Sequence, residues 1–405
     1  MTEIKHYELG ELADVTKLAG FEFTKHIKYN NYGEIIALRA LNLRHGELDL
    51  TDIKRIDRSV SELLTRSKLY VNDILLTYTG NGYGDCAIIE ENDKYHLAPN
   101  ICKIVPNVEK VVPYYLYSYI RTNEFYKIMS SHMTGSSQPT IPMKTIRVLP
   151  IPLPPMVVQK KIAEVAYCIN EKIRKNTAIN KNLEQQAQAI YRSWFVNYEP
   201  FDGTKPDDWL DGTIDDLGTE IICGKTPSTK KSEYYGGNTP FITIPDMHGC
   251  VYIVSTERYL SDAGVASQPK KTLPPETVCV SCIGTAGLVT LVSEESQSNQ
   301  QINSIIPKEG ISVYYIYLLM QTLAETINKL GQSGSTIVNL NKTQFGKIQV
   351  MIPSKRVLQD FDSLCRPLFD KILSNQKENI NLSELRDTLL PKLMSRELDV
   401  SDIDL

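Results

Sequence analysis

Apolar residues recur every seven positions in two long stretches of the chain, and this periodicity is its strongest structural signal. In the first stretch Ile162, Ile169, Asn176, Leu183 and Ile190 form one row, and Ala166, Ile173, Asn180, Ala187 and Trp194 a second, four residues on. In the other, the rows are Phe361, Leu368, Asn375, Leu382 and Leu389, then Cys365, Ile372, Asn379, Arg386 and Leu393. Such spacing predicts heptad seams on two long helices. Prolines mark where each begins, in IPLPP at 151 to 155 and at Pro353; a ring that fixes φ and lacks an N–H suits a helix entry. Asparagine takes the central layer of both seams. A buried amide costs stability unless partnered, so the matched layer reads as a register device. The competing reading is two helices that pack separately, each on its own domain.

The rest of the chain repeats in the same order. The strand and glycine turn DILLTYTGNGYG, with Gly80, resembles TVCVSCIGTAG, with Gly284, an offset of 204. Tyr114-Tyr115 match Tyr314-Tyr315 at the start of an apolar helix, and Gly135-Ser136 match Gly334-Ser335 at 199, an offset that holds through both long helices. The pattern predicts an α+β chain with an internal repeat. Globular domains occupy 1–154 and 199–352, spacer helices 155–198 and 353–398, and an acidic tail 399–405. If both domains join their helices alike, the helices form an antiparallel coiled coil with a pseudo-twofold axis through the asparagine layer. Two similar domains on such a spacer match the local symmetry of duplex DNA. A helix of about 40 residues rises about 60 Å, the length of roughly 18 base pairs, which bounds the whole footprint. Because the globular halves differ outside their shared frame, the half-sites they read should differ too.

Composition narrows this picture. The 405 residues are 42% hydrophobic, enough for two or three buried cores. Forty-four Lys and Arg against 48 Asp and Glu leave a net charge of −4, so a DNA surface has to be a local patch, and the negative remainder limits non-specific binding. Eight cysteines lie scattered in apolar contexts, as expected of reduced thiols. Cys279 and Cys282 lack the further ligands a zinc site needs. MTEIKHYELG has no signal-peptide pattern and no apolar run reaches the ~18 residues of a membrane span. A cytoplasmic location without a membrane partner is expected.

Particular segments carry a family resemblance. CGKTPSTKKSEYYGGNTPFITIPDM (223 to 247) with SNQQINSIIP (298 to 307) resembles the target-recognition domain of type I restriction-modification specificity subunits. IYRSWFVNYEPF (190 to 201) and LLPKLMSREL (389 to 398) are similar to the ends of that family's spacer helices. The chain departs from the family in Arg396, where glycine is frequent, in Tyr235 and Phe241, where tryptophans are common, and in the absence of a T-P-S turn from the first domain. The resemblance implies two target-recognition domains, each on one part of a split sequence in double-stranded DNA. It also implies no catalysis by this chain, two methyltransferase subunits docked on its helices, and restriction and translocase subunits beyond them. S-adenosylmethionine, ATP and magnesium would belong to those partners, with no cofactor or metal on this subunit. A coiled-coil adaptor whose two repeated domains bind protein is the alternative.

Candidate DNA contacts follow from residue chemistry. Lys225, Thr226, Ser228, Thr229, Lys230 and Lys231 share a turn held by Pro227, where cations and hydroxyls can grip phosphate. Thr79, Asn81, Tyr83 and Thr285 lie on glycine turns that follow strands. GSSQPTI and GSTIVNL present Ser136, Ser137, Gln138, Ser335 and Thr336, with Lys144 and Lys342 just beyond; glutamine can pair with adenine in two hydrogen bonds. Asn299, Gln300 and Gln301 place three amides in a row, suited to base edges or to capping a buried strand. For each of these turns a solvated loop or an ordinary hairpin is the competing reading. Trp194 and Phe195 read as packing at a helix end rather than base-stacking groups, and the basic excess at Lys160, Lys161, Lys172, Arg174 and Lys175 as a charged outer helix face, with a surface toward DNA between the half-sites as the alternative. Enzyme motifs fail. In GTEIICGKT five residues separate Gly218 from Gly224 where a phosphate loop has four, and no methyltransferase, nuclease or acyl-transfer constellation is present.

Overall fold

Both periodic stretches are helices of 40 residues, Met156–Phe195 and Lys355–Met394. The computed structural model describes residues 5–80, 82–134, 138–332 and 338–400. The chain divides into two units, residues 1–172 with 381–405 and residues 173–380, so each unit holds one end of each long helix.

In the first unit, strand Ile101–Pro106 pairs antiparallel with Ala13–Lys17 and Ile74–Thr77, and Cys86–Ile88 extends the sheet. A smaller sheet sets Ile35–Leu38 between Lys54–Ile56 and the parallel Tyr95–Leu97. Strand Lys5–Glu8 pairs with Pro150–Leu153. Helix Pro113–Ile120 buries Tyr115, Leu116, Tyr117 and Tyr119 in a core that Ile162, Ala163, Ala166, Leu390, Leu393 and Met394 of the long helices complete.

The second unit repeats this plan. Ile302–Pro307 pairs with Gly218–Cys223 and Val278–Ser281, and the sheet continues through Val289–Val292 to Tyr252–Ile253. Tyr235–Ile242 lies between Tyr259–Leu260 and the parallel Gln297–Ser298, and Leu210–Thr213 pairs with Gln349–Ile352. Helix Val313–Thr322 packs with Tyr191, Phe195, Phe361 and Phe369 of the long helices. Phe195 meets Tyr315 at 4.8 Å and Phe361 at 4.9 Å between ring centroids, so Trp194 and Phe195 do lie in packing. In each unit the buried tyrosine, Tyr115 or Tyr315, donates its hydroxyl to a carbonyl of the last strand, Pro152 or Met351.

The heptad rows hold in the middle of the helices and shift at their ends. Phe369, Leu390, Tyr191 and Phe195 are buried, whereas Leu368, Leu389, Ile190 and Trp194 are half-buried. At its ends each helix packs on strands and a short helix as well as on its partner, so the buried stripe widens from the narrow two-row seam to the broader face of a globular helix. Of the expected acidic tail, residues 401–405 lie outside the described residues. Among the described residues no helix is long and apolar enough to cross a membrane.

Within the second unit the long helices run antiparallel and the asparagines meet. Asn176 Nδ2 donates to Asn379 Oδ1 at 2.9 Å and to Glu378 Oε2 at 2.8 Å. Asn375 Nδ2 donates to Asn180 Oδ1 at 2.8 Å, and Asn180 Nδ2 to the carbonyl of Ile372 at 3.3 Å. Asn176 and Asn375 are buried. Amides partnered across the helix pair are stable in one alignment only, which supports a register role. Asn375→Leu is expected to leave Asn180 Oδ1 without its donor and to destabilise the chain by about 1–3 kcal/mol, and Asn180→Leu added to it to recover most of that loss. Urea unfolding of the single and double variants measures this; strictly additive losses would remove the asparagine pair as a coupled element.

Candidate nucleic-acid interface

In the second unit the connection from Gly218–Cys223 to Tyr235–Ile242 carries the lysine-rich turn. Its start is pinned from below. Lys225 N donates to the carbonyl of Ser298 at 2.8 Å, Gln268 Nε2 to the carbonyl of Lys225 at 2.7 Å, and Lys271 Nζ to that of Cys223 at 2.8 Å. Gly224 makes this approach feasible: a Cβ there would sit 2.2 Å from the Asn299 carbonyl oxygen. Thr226 Oγ1 donates to Gln300 Oε1 at 2.7 Å, so the lysine turn and the amide triplet share one surface. Further along, Tyr235 donates its hydroxyl to the carbonyl of Pro227.

On this held base Lys225, Ser228, Thr229, Lys230 and Lys231 are exposed. Lys231 Nζ donates to the Tyr234 hydroxyl at 3.0 Å, a bond that raises its pKa. Of the amide triplet only Gln300 is exposed. Asn299 is buried, with its Nδ2 on Gln301 Oε1 and its Oδ1 on the Gln301 N–H. That places it as a brace inside the turn instead of on a base edge. Gln301 Nε2 reaches the carbonyl of Ile283 at 3.4 Å, which joins the glycine turn carrying the exposed Thr285 to the same cluster.

Each unit pins its glycine turn to a later segment in the same way. Gly80 N donates to the Pro139 carbonyl and Ile141 N to that of Tyr78; Gly284 N donates to Val338 and Leu340 N to Cys282. In the first unit this brings Thr79 against Thr140 and leaves Gln138 exposed beside the turn. Tyr83 is stacked on Tyr126 with ring centroids 5.3 Å apart, and its oxygen accepts the Tyr126 hydroxyl at 2.8 Å. That bond lowers the Tyr83 pKa. Asn81, Ser136, Ser137, Ser335 and Thr336 lie outside the described residues. Lys144 and Lys342 are exposed on short helices, Met143–Arg147 and Lys342–Gly346, that pack on Leu9–Leu12 and Ile214–Leu217.

Three supports escaped the sequence reading: Gln268, the buried Gln297 that accepts from Gln268 Nε2 at 2.8 Å, and Lys271. The Lys270-Lys271 pair after Pro269 was the available signal; buried glutamines give none. Cys279 and Cys282, set aside as zinc ligands, are core thiols that burial pushes up to about 12.

Comparison with known proteins places this arrangement. Residues 1–187 and 206–378 match the family described as the type I restriction modification DNA specificity domain. The type I restriction enzyme HindI specificity subunit of Haemophilus influenzae is 30% identical, over 98% of this chain and 100% of that protein. The MjaIX specificity subunit of Methanocaldococcus jannaschii is 24% identical over 98% of this chain and 95% of its own length. The fold is also similar to the crystal structure of a type I restriction-modification S subunit from M. genitalium, with a TM-score of 0.59 at 14% identity, covering 97% of each chain. With two family matches that together span most of its sequence, and a 30% identical relative along nearly its full length, the chain belongs to the family of type I restriction-modification DNA specificity subunits.

Proposed function

We propose that this chain is the non-catalytic subunit that selects the DNA sequence on which a type I restriction-modification complex acts in the cytoplasm. Residues 1–154 and 199–352 each read one half of an asymmetric, bipartite duplex target. The observation that carries this reading is the shared frame of the two units: a glycine turn after a strand, pinned to a later segment, with unlike side chains around it. A common frame with divergent loops suits two readers of different sequence. Lys225, Lys230 and Lys231 contact phosphate, with Ser228 and Thr229 beside them. Gln300, held by Thr226, and the exposed Thr285 face base edges in the second half-site, and Thr79 and Gln138 serve the first.

The long helices dock two methyltransferase subunits, and restriction and translocase subunits join through them. S-adenosylmethionine, ATP and magnesium act on those partners.

Replacing residues 1–154 with the equivalent domain of a relative, then sequencing methylated adenines in DNA from cells carrying the complete system, should change one half of the modified sequence and leave the other. A change in both halves would defeat the two-reader assignment. In a salt series with the purified complex, Lys225→Ala together with Lys230→Ala should reduce the slope of log K against log salt by about one per lysine. A complex whose binding is indifferent to both DNA sequence and salt would favour the protein adaptor.

A further inference from the structure

The first unit lacks the lysine-rich turn of the second, yet a connection occupies the same place. Residues 18–34 join Ala13–Lys17 to Ile35–Leu38, as residues 224–234 join Gly218–Cys223 to Tyr235–Ile242. In both units the strand that precedes this connection pairs with the long central strand, and the strand that follows it pairs in parallel with a later short one.

This first connection exposes aromatic rings. Tyr32 is 95% exposed and Phe21 72%. The Tyr32 turn is held rigidly beneath the ring. Asn30 Oδ1 accepts the N–H groups of Tyr32 and Gly33, and its Nδ2 donates to Asp57 Oδ1 at 2.9 Å. Asn30 N also donates to the carbonyl of Arg55, and Arg55 donates to the carbonyl of Gly33. Gly33 packs so close to strand Lys54–Ile56 that a Cβ would lie 2.4 Å from the Ile56 oxygen. A turn held at this many points keeps the ring in water, an arrangement that gains nothing for folding.

The same connection and the strand end beside it carry exposed cations. Lys25, Lys28 and Arg58 are exposed. The acids here, Glu22, Glu34 and Asp57, remain charged, and each accepts a hydrogen bond, from the N–H of Ala19, the N–H of Arg58 and Asn30 Nδ2. An exposed aromatic ring on a fixed turn suits packing against a base, and exposed lysines on the same connection suit the flanking polyanionic backbone.

We propose that Tyr32 is a specificity-determining residue of the first unit, its ring packing on base edges in a groove of the first half-site while Lys25 and Lys28 hold the flanking phosphates. This rests on the DNA-reading function proposed above and extends it to a surface that the turn motifs did not indicate. The ring, not the hydroxyl, is the contacting group.

The test is carried out in cells bearing the complete system, with methylated adenines mapped by sequencing. Tyr32→Ala should lower the modified fraction at target sites at least about fivefold, or relax the base preference in the first half only, while Tyr32→Phe retains the parental pattern. Unchanged extent and sequence in Tyr32→Ala would overturn the proposal. So would a relaxed base preference in the second half, or a loss traced by co-purification to weaker assembly with the methyltransferase subunits. A parental system whose methylation shows no bipartite sequence would sink the underlying reading instead. Circular dichroism of Tyr32→Ala, expected to match the parent because the side chain is exposed, keeps misfolding separate.

Discussion

Neither unit closes its core without the ends of the two long helices. In the second unit Phe195, Tyr191, Phe361 and Phe369 fill the space beneath Tyr314, Tyr315 and Tyr317. In the first, Leu390, Met394 and Ile162 take the positions equivalent to Tyr191, Phe195 and Phe361, and Ala166 joins them in the core with Tyr115, Tyr117 and Tyr119. The sheets are built from short strands, and several of them expose one face that only a helix covers. Burial of these helix ends therefore positions the strands within each unit. Through the strands it positions the loops that follow them.

The middle of the helices follows a different logic. A purely apolar antiparallel seam can slip by a heptad at little cost, because one leucine-like layer resembles the next. In the second unit, Asn176 with Asn379 and Asn180 with Asn375 replace such layers by donor and acceptor pairs that slippage would break. Apolar ends supply adhesion and the amide layer supplies alignment. In the function proposed above this chain reads a split DNA target with two domains, and such a reading would depend on that alignment.

The interface itself separates frame from content. Glycine turns pinned by backbone hydrogen bonds recur in both units with the same partners. What differs is the connection after the first strand of each main sheet: lysines and hydroxyls over a buried Gln268–Gln297 pair in the second unit, exposed aromatic rings on an Asn30-locked turn in the first. Backbone bonds are indifferent to side chains, so the frame can persist while the side chains around it change.

By itself the sequence determined the repeat, the two long helices, the asparagine layer and the family, because each depends on periodicity or on contiguous motifs that need no third dimension. It could also place the lysine turn at 225 to 231 on a connection between strands. Only the tertiary structure decided which side chains in those segments are available. Asn299 and Gln300 are neighbours of the same chemical type, yet one is buried in its own turn and the other exposed. Tyr83 on a glycine turn stacks on Tyr126, while Tyr32 in an unremarkable KYNNYG stretch stands in solvent. The heptad rows drifted at the helix ends for the same reason: exposure is set by what packs from elsewhere in the chain, and contacts across more than a hundred residues, such as Phe195 with Phe361, leave no local periodicity to read.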